Sequence, residues 1–325
     1  MLPDAVIAKI EQEASRINRD QLKKGAQALS VRYQTESGHG KRLVTTTEDA
    51  LAYAIMRMPA TYGAVRAALS ATLTSTTINP KTLLDVGAGT GAATFAASSL
   101  FAFDQIVCLE REAAMRQTGE NFMAAAEPTW QEVKWHAFDL TTSPLTDHAD
   151  LVIASYVLNE LQPQKRREAW QALWQAADQM LLIIEPGTPA AYAQLMEARA
   201  FLLAKGAHIL APCPHERECP MLEGDWCHFT TRIARSALHR QVKEGEVPYE
   251  DEKFSYLAIV KEEGKARNFA RVLRHPIHAK GHSKVVVCDE QGIEQLTVTK
   301  KHVERYKQVR KAHPGDEIGM FLSKS

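Results

Sequence analysis

The sequence predicts an α/β protein with a doubly wound parallel sheet, and three observations support this prediction. Five short apolar runs recur between residues 82 and 184, and helical stretches separate them. A glycine-rich turn at 87–91 follows the first run. Polar residues follow the other runs, at the points where strands would end. Strands that alternate with helices form parallel sheets, and such sheets bind ligands at the carboxyl ends of their strands.

The bulk properties indicate a globular chain without a membrane segment. Of its 325 residues, 45% are hydrophobic and 24% are charged, as in ordinary soluble proteins. No apolar run approaches the roughly 20 residues of a membrane span. The first twenty residues include Asp4, Glu11 and Glu13 and lack an apolar core, unlike secretory or transit segments. We therefore expect a cytoplasmic protein with reduced cysteines and no membrane partner, and we expect it to be a monomer.

Residues 1–75 are predicted to form a helical cap in front of the sheet. Apolar residues recur at three- and four-residue spacing through 3–34, which is typical of an amphipathic helix. A second helix is predicted to begin near Thr47, with acidic residues in its first turn. Pro59 is expected to break or kink this helix.

Residues 76–205 are predicted to form the nucleotide-binding domain. Its strands are predicted at Thr82–Val86, Gln105–Leu109, Val133–Phe138, Asp150–Ser155 and Met180–Ile184. Gly87, Gly89 and Gly91 form the turn after the first strand, where glycine permits positive φ and leaves room for a ligand. Glu110 ends the second strand, 19 residues after Gly91, which is about where a ribose-binding acid lies in nucleotide-binding folds.

Two cofactors compete for this turn. The pattern at 87–92 satisfies the loose glycine fingerprint of nicotinamide-dependent enzymes. However, Asp85 lies inside the strand just before the turn, and 84–91 resembles the first motif of class I methyltransferases, which bind S-adenosylmethionine. This resemblance implies that Glu110 holds the ribose hydroxyls, that Asp139 lies beside the adenine, and that 156–160 line the methyl-donor pocket. The predicted cofactor-binding residues are Asp85, Gly87, Gly89, Gly91, Glu110, Asp139, Tyr156 and Asn159.

A metal site is predicted in residues 206–245. Three of the five cysteines lie within fifteen residues of one another, at Cys213, Cys219 and Cys227. Pro214 and Pro220 each follow a cysteine and stiffen the loop. Thiolates are soft ligands for zinc and for iron–sulfur clusters. The type of metal and the fourth ligand stay open on this evidence. A basic helix is predicted to follow at 230–240, with Arg232 and Arg235 on one face.

Residues 246–325 are predicted to form a small basic β element. Its strands are predicted at 254–260, 269–274, 284–288 and 293–299. The window 264–313 holds 12 basic and 4 acidic residues, a net charge of +8. Such a surface suggests a polyanion such as RNA, although a solvated face without a partner is the alternative. Cys288 lies in a valine-rich strand and Cys108 lies in the second strand of the sheet, so both are read locally as buried thiols.

Together these motifs resemble one family, the methyltransferase-like assembly factors of the mitochondrial small ribosomal subunit and their bacterial relatives. The resemblance covers nearly the whole chain. The segments that carry it are Ala52–Tyr62, Leu84–Gly91, Ala211–Pro220, Trp226–Phe229, Phe254–Tyr256 and Tyr306–Asp316. It implies a Rossmann-like class I methyltransferase sheet, S-adenosylmethionine binding, and association with small-subunit rRNA during assembly.

The resemblance also implies a [4Fe–4S] cluster, with a ligand set that joins the loop to the C-terminal β element. The implied ligands are Cys213, Cys219, Cys227 and Cys288. Four thiolates leave no open iron position, which predicts a structural cluster. Zinc is the alternative, either with the same four cysteines or with His215 or His228 in place of Cys288.

The sequence identifies no catalytic residue. Exocyclic-amine methyltransferases carry an Asn/Asp-Pro-Pro-aromatic motif after the fourth strand, whereas this chain has Ser-Tyr-Val-Leu at 155–158. No cysteine nucleophile follows the fourth or fifth strand. Two functions therefore stay open: an rRNA methyltransferase acting on the small subunit, and a non-catalytic assembly factor that binds rRNA and uses both cofactors structurally. A redox or sensing protein is a third class.

Overall fold

A central sheet of eight strands forms the middle of the protein. The structure is a computed structural model and describes residues 1–36, 41–74, 76–126, 130, 132–243, 246–263 and 269–319. The strands of this sheet are β1 (Thr82–Val86), β2 (Gln105–Glu110), β3 (Lys134–Ala137), β4 (Ala149–Ser155), β5 (Ala177–Pro186), β6 (His208–Ala211), β7 (Phe229–Ala234) and β8 (Tyr249–Val260). Their order is β3-β2-β1-β4-β5-β8-β6, and β7 pairs with β8.

The first five strands are parallel, as the sequence predicted. β1 lies between β2 and β4, and Val86 at its carboxyl end is in register with Leu109 and Ala154. The residues that follow these three strands therefore meet at one edge of the sheet. The prediction of a Rossmann-like α/β fold with a mostly parallel sheet is confirmed.

Two sequence predictions about the later strands are wrong. Residues 249–260 were grouped with the C-terminal β element, but β8 pairs antiparallel with β5, β6 and β7 of the central sheet. A basic helix was predicted at 230–240, but β7 occupies the first part of this segment. Phe229 and Ile233 are buried on one face of β7, and this alternation is the period of a strand. The helix that follows begins only at residue 237.

The N-terminal cap consists of four helices instead of one long helix followed by a broken one. They are α1 (Asp4–Ala14), α2 (Arg19–Glu36), α3 (Thr47–Met56) and α4 (Met58–Leu73). The predicted helix over 3–34 is divided because Asn18 accepts a hydrogen bond from the Asp20 amide at 2.9 Å and so begins a new helix. Thr46 likewise caps α3 by accepting from the Asp49 amide. Pro59 lies in the first turn of α4, where proline is tolerated.

The remaining helices cover the sheet and support the C-terminal region. They are α5 (Ala92–Ser98), α6 (Ala113–Ala126), α7 (Pro163–Ala176), α8 (Pro189–Leu203), α9 (Ala237–Lys243) and α10 (Val303–Lys311). Two groups of buried apolar residues on the two faces of the sheet form the main core, and the cap contributes to one of them. Within the described ranges, no helix combines the length and apolar character needed to cross a membrane.

The C-terminal element is a second sheet with its own small core. Its strands are β9 (Phe269–Val272), β10 (Ile277–Ala279), β11 (His282–Asp289), β12 (Gly292–Thr299) and β13 (Glu317–Gly319). The strand order is β10-β11-β9-β13, and β12 also pairs with β11. Val285 and Val287 of β11 pack with Val309 of α10. Residues 264–268 of the predicted basic window lie outside the described residues.

Candidate functional site

The first candidate site is a cavity of about 90 Å³ at the carboxyl ends of the parallel strands. Tyr33 from α2 and Tyr53 from α3 belong to its wall, so the cap closes one side of it. The sequence-predicted residues in its lining are Gly87, Gly89, Glu110, Asp139 and Tyr156. The other three predicted residues, Asp85, Gly91 and Asn159, are described by the structure and lie outside this lining.

The glycine turn allows the backbone to approach the cavity closely. Gly87, Gly89 and Gly91 all have positive φ, at 74°, 58° and 86°. A Cβ at Gly87 would lie 2.6 Å from a methyl carbon of Val157, which excludes any side chain there. A Cβ at Gly89 would meet its neighbours only at 3.7 Å or more. The turn therefore needs glycine for conformation at both positions, and at Gly87 it also needs glycine for space.

Glu110 fixes the turn and faces the cavity. One oxygen of its carboxylate accepts from the Gly89 amide at 2.8 Å, and the other accepts from the Glu112 amide at 2.7 Å. Burial raises the pKa of Glu110 above its ordinary value, although these two amide hydrogen bonds oppose the shift. A carboxylate has about four lone-pair sites, so Glu110 retains acceptor capacity for a hydroxyl-bearing ligand.

Glu160 is a cavity-lining acid within 156–160, the segment predicted to line the methyl-donor pocket. It belongs to a short 3-10 helix, Leu158–Glu160, that follows β4. Burial, and then the charge of Glu110, raises the pKa of Glu160 to about 8. A buried carboxyl group of this kind favours a cationic ligand, because a nearby positive charge stabilises its ionised form.

Asp139 is an ionised carboxylate in the lining of the cavity. Although burial favours its neutral form, the Thr141 hydroxyl at 2.6 Å and the Thr141 amide at 2.9 Å hold the pKa of Asp139 below its usual range. The Arg111 guanidinium lies 3.9 Å from the second carboxylate oxygen. Asp139 is therefore a fixed negative charge in the lining.

Asp85 faces the interior of the protein. Its carboxylate accepts from the amide and the hydroxyl of Thr94 at 3.1 and 2.7 Å, and it is fully buried. Burial raises the pKa of Asp85 to about 7. The geometry gives Asp85 a structural role, that of joining β1 to the helix after the glycine turn.

Tyr156 is the most constrained residue of the cavity. It has a φ of 58°, which is unusual for a residue with a side chain. Its hydroxyl donates to Glu252 of β8 at 2.9 Å, and Arg57 from the cap forms two hydrogen bonds with the same carboxylate. Arg57 also lies 5.7 Å from the centroid of the Tyr156 ring. Sequence reasoning missed Glu252 and its pairing with Arg57, because partners 96 and 195 residues apart in the chain leave no local signal.

Asn159 stabilises the segment that follows β4. With its amide nitrogen facing the available acceptors, it donates to the Tyr156 carbonyl at 2.9 Å and to Glu185 at 3.0 Å. Glu185 also accepts from the Leu158 amide at 3.1 Å. Burial raises the pKa of Glu185 to about 8. Asn159 and Glu185 together hold the segment after β4 in place.

The second candidate site is a smaller cavity of about 30 Å³ between the central sheet and the C-terminal element. All four predicted metal ligands line it: Cys213, Cys219, Cys227 and Cys288. The local sequence predicts a buried core thiol for Cys288. The structure instead places Cys288 in the lining of this cavity, because strand β11 brings it to the cysteine loop. In the part of the chain that the structure describes, no three Cys, His, Asp or Glu side chains form a compact group of the kind that holds a metal ion.

The surroundings of this cavity raise the pKa of its cysteine thiols and so favour their neutral form. Burial, and then the charge of the neighbouring cysteines, raises the pKa of Cys288 to about 12. The same two causes raise the pKa of Cys227 further. Thiolates in an apolar cavity need a cationic group to stabilise them. The chemistry of this donor set therefore fits either zinc or an iron–sulfur cluster.

Two buried arginines adjoin the cysteine cavity. Arg271 of β9 is 1% exposed and donates to the Pro212 carbonyl at 2.9 Å, the Gly315 carbonyl and the Glu317 carboxylate. Arg199 of α8 donates to carbonyl groups inside the cysteine loop. Arg271 was counted in the predicted RNA-binding surface, so that assignment is wrong for this residue. Its charge is buried and is compensated within the protein.

The predicted basic face around residue 235 is also compensated by acids. Arg232 forms two hydrogen bonds with Asp251, and Arg235 forms two with Glu250. Both acids belong to β8, directly opposite β7 in register. His239 is 1% exposed on its side chain. The predicted free basic surface is thus a set of cross-strand ion pairs.

Sequence comparison assigns the chain to a family. The family described as Mitochondrial small ribosomal subunit Rsm22 matches residues 47–319. The chain belongs to the Rsm22 family. The matched segment begins at the first residue of α3 and contains the cysteine cavity, most of the lining of the strand-end cavity and the whole described C-terminal element, whereas α1 and α2, with Tyr33, precede it.

Curated relatives of this Rsm22 family member are longer than the chain itself. Ribosome assembly protein METTL17, mitochondrial, from Homo sapiens is 29% identical over 303 residues, which is 86% of this chain and 64% of the relative. Rsm22-cox11 tandem protein 2, mitochondrial, from Schizosaccharomyces pombe (strain 972 / ATCC 24843) is 24% identical and covers 92% of this chain and 46% of its own length. The chain thus spans about half to two thirds of these relatives.

The predicted cytoplasmic location is wrong by this comparison. The Rsm22 family and both relatives are mitochondrial by description. The prediction rested on the lack of targeting features in the first twenty residues. Such a lack does not identify a compartment.

Solved structures with similar folds include distant methyltransferases. A putative RNA methyltransferase from Pyrococcus horikoshii is 15% identical, with a TM-score of 0.42, and covers 62% of this chain and 84% of its own. Magnesium protoporphyrin IX methyltransferase from Synechocystis PCC 6803 with bound S-adenosylmethionine is 13% identical, with a TM-score of 0.43, and covers 73% and 97%.

Proposed function

We propose that this Rsm22 family member is an assembly factor of the small ribosomal subunit that binds S-adenosylmethionine, a [4Fe–4S] cluster and rRNA. The observation that carries the proposal is the convergence of four cysteines on one cavity, three from the loop and one from β11. The descriptions of the family and of METTL17 support the role in small-subunit assembly.

The acidic lining of the strand-end cavity supports S-adenosylmethionine as its ligand. This cofactor carries hydroxyl groups, amino groups and a positively charged sulfonium. Glu110 has acceptor capacity for ribose hydroxyls, and Asp139 offers a fixed carboxylate for an amino group. Glu160 offers a carboxyl group that ionises beside a cation. The open space at Gly89 leaves room for the ligand against the backbone.

In this proposal the cluster is structural. Cys213, Cys219 and Cys227 hold it from the loop, and Cys288 holds it from the C-terminal element. Once bound, the cluster supplies iron charge that stabilises the four thiolates. It also supplies a covalent connection across the interface that Arg271 already bridges. Zinc bound to the same ligands is the alternative.

Anaerobic purification with iron, sulfide and zinc measured per chain tests the metal assignment. We expect iron and sulfide in equal amounts, and a large loss of both in Cys288→Ser. Cys108→Ala is the matched control, because Cys108 is buried elsewhere, beside Thr94. Zinc without sulfide would refute the cluster, and unchanged iron in Cys288→Ser would refute the ligand assignment.

A non-catalytic role is the function that the geometry of the cavity favours. The target of a methyl transfer must reach the donor through the segment after β4, because the methyl-donor pocket is expected there. In this protein Tyr156 occupies that position and is held by Glu252 and Arg57. Asn159 of the same segment is engaged within the protein, because its amide donates to the Tyr156 carbonyl and to Glu185. We therefore propose that bound S-adenosylmethionine stabilises the fold for assembly.

Methyl transfer to rRNA is the second candidate, because the glycine turn and Glu110 lie together at the carboxyl ends of the strands, where a methyl donor would bind. Mapping small-subunit rRNA methylation with and without the gene separates the two functions. Loss of a methyl mark that a Gly89→Val chain fails to restore would favour the enzyme. Unchanged methylation together with defective subunit assembly would favour the assembly factor.

Exposed lysines of the C-terminal element support rRNA as the partner. Arg271 is buried and Arg274 is paired with Asp225, so neither is a free charge of the predicted surface. The exposed basic residues that remain in the described part of the window are Lys280, Lys284, Lys300, Lys301, Lys307, Arg310 and Lys311. Lys284 lies in β11, Lys280 follows β10, Lys300 and Lys301 follow β12, and the other three lie on α10, where a phosphate backbone can approach them.

A further inference from the structure

The C-terminal sheet has one face that α10 covers and a second face that α10 leaves free. Side chains alternate between the two faces along a strand. Val285 and Val287 of β11 are buried on the first face, where they pack with Val309 of α10. The residues between and beside these valines, which include Lys284 and Val286, point to the second face. We call this second face the outer face of the C-terminal sheet.

The register of the strands shows which residues share the outer face. Residues that are paired across antiparallel strands have their side chains on the same side of a sheet. On the outer face β10, β11 and β12 therefore form four cross-strand rows: Ala279–His282–Thr299, Ile277–Lys284–Thr297, Val286–Gln295 and Cys288–Ile293.

One end of the outer face is covered and the other end is open. Cys288 and Ile293 line the cysteine cavity, so the cysteine loop covers their row. In the other rows, Lys284 and Gln295 are exposed, and Ile277 is 69% exposed. This open part is about 10 Å wide across three strands and about 14 Å long from 282 to 286. A few nucleotides would cover such an area.

Charge is distributed unevenly along the sheet. Lys280 lies in the turn between β10 and β11, and the Lys300 amide donates to the Gly281 carbonyl at 3.0 Å, so β12 ends beside the same turn. Lys284 and Lys301 also belong to this end, and no carboxylate of the described residues pairs with any of these four lysines. The acids of these strands and their turns lie at the opposite end: Asp289, Glu290 and Glu294. The open part of the outer face is therefore bordered by positive charge, which complements a phosphate backbone.

We propose that the open part of the outer face binds unpaired nucleotides of single-stranded RNA. This inference rests on the proposed rRNA partner and deepens it by naming the surface and the form of the RNA. Unpaired bases present flat apolar faces, which suit Ile277 and Val286, and hydrogen-bonding edges, which suit Gln295 and Thr297. The lysines at the end of the sheet bind the neighbouring phosphates. A duplex hides its base faces by stacking, so it meets only the lysines.

Removing an apolar contact tests for the base faces. The full chain is titrated into labelled oligouridine of about six nucleotides and into a blunt-ended RNA duplex, and fluorescence anisotropy measures both affinities. In Ile277→Ala we expect the affinity for oligouridine to fall about fivefold and the affinity for the duplex to stay within about twofold. Val31→Ala is the matched control, because Val31 is 56% exposed on α2, and it should change neither affinity.

Adding one negative charge tests the location of the surface. Gln295→Glu places a carboxylate on the outer face beside the phosphates of the bound strand. We expect it to lower the affinity for oligouridine by about fivefold or more, because like charges repel. Gln308→Glu is the matched control, since Gln308 is exposed on α10, the helix that covers the other face. This control should lower the affinity by less than about twofold.

The possible outcomes separate this inference from the proposed function. If the chain binds RNA and all four variants bind it as tightly as the unaltered chain, the inference is overturned and the rRNA partner stands. An equal loss of duplex and oligouridine binding in Ile277→Ala would overturn the assignment to unpaired bases. Unchanged RNA affinity in Gln295→Glu with lost binding to purified small subunits would show a protein partner on this face and would also overturn it. Failure of the unaltered chain to bind either RNA would overturn both proposals.

Discussion

The Arg271 guanidinium donates through Nε to the carbonyl oxygen of Pro212 at 2.9 Å and so joins the C-terminal sheet to the residue before Cys213. Its two other nitrogens bond the Gly315 carbonyl and Glu317. Arg271 is also in register with Cys288 on the neighbouring strand. One buried side chain therefore fixes the position of the fourth cysteine relative to the other three.

Replacing Arg271 by Met is expected to destabilise the protein by about 3–5 kcal/mol, because it removes the buried guanidinium that pairs with Glu317 and donates to the Pro212 and Gly315 carbonyls. Denaturant unfolding of the metal-free chain measures this effect. Arg310→Met on the exposed face of α10 is the control and should change stability by less than about 0.5 kcal/mol. Equal effects of both substitutions would contradict the proposed bridge.

Glu160 should make binding of S-adenosylmethionine depend on pH. Its pKa in the free protein is about 8, so below this pH a cationic ligand must displace a proton. Affinity is therefore expected to rise with pH, by up to about tenfold per unit, and to level off above pH 8. Calorimetric titration between pH 6 and 9 measures it.

The control for this pH dependence is the Glu160→Gln chain, in which the contribution of residue 160 is absent and the slope should be correspondingly flatter. Glu168→Gln, an exposed acid on α7, should retain the slope of the unaltered chain. A slope that persists unchanged in Glu160→Gln would show that another group titrates.

Gly87 is expected to tolerate no side chain. Gly87→Ala combines positive φ with a 2.6 Å approach to Val157, and we expect a cost of about 2–4 kcal/mol. Gly206→Ala is the matched control, because Gly206 has a φ of 83° and no atom within 4 Å of the added Cβ. It should cost only about 1–2 kcal/mol. Similar thermal unfolding of the two variants would show that the contact with Val157 is relieved.

The exposed lysines should contribute to RNA affinity without sequence preference. Lys300→Gln combined with Lys301→Gln is expected to lower the slope of log affinity against log salt by about 1 for each lost phosphate contact. Filter binding of a small-subunit rRNA fragment at several salt concentrations measures this slope. Lys165→Gln on α7, remote in sequence from the C-terminal element, should leave the slope unchanged.

The parallel half of the sheet could be predicted because its signals are local. The apolar runs predict strands, and the glycine turn and Glu110 predict a ligand-binding edge, each from a few neighbouring residues. The spacing of the cysteines in the loop predicts a metal site in the same way. The predictions of basic surfaces were wrong where they counted charged residues without knowing which side chains are buried or paired. Arg271 and Arg232 count equally in a net charge, yet the first is buried and the second is paired across strands.

Some features of the site have no signal in a single sequence. Residue spacing cannot predict that Asp85 turns inward to Thr94, or that Tyr156 adopts positive φ beneath Glu252. Both depend on which elements become neighbours in the folded chain. The sequence does contain a signal for β7, because Phe229 and Ile233 lie four residues apart and so share one face of a strand, with polar residues between them. The three-residue spacing of the arginines was the weaker pattern.

The location of Cys288 on β11 also determines when the cysteine cavity can be completed during translation. Cys213, Cys219 and Cys227 leave the ribosome together, but 60 residues must follow Cys227 before Cys288 is made. β9, which carries Arg271, is also synthesised within that interval. The cavity therefore closes only after β11 has emerged, so a protein truncated before β11 lacks one wall of this site.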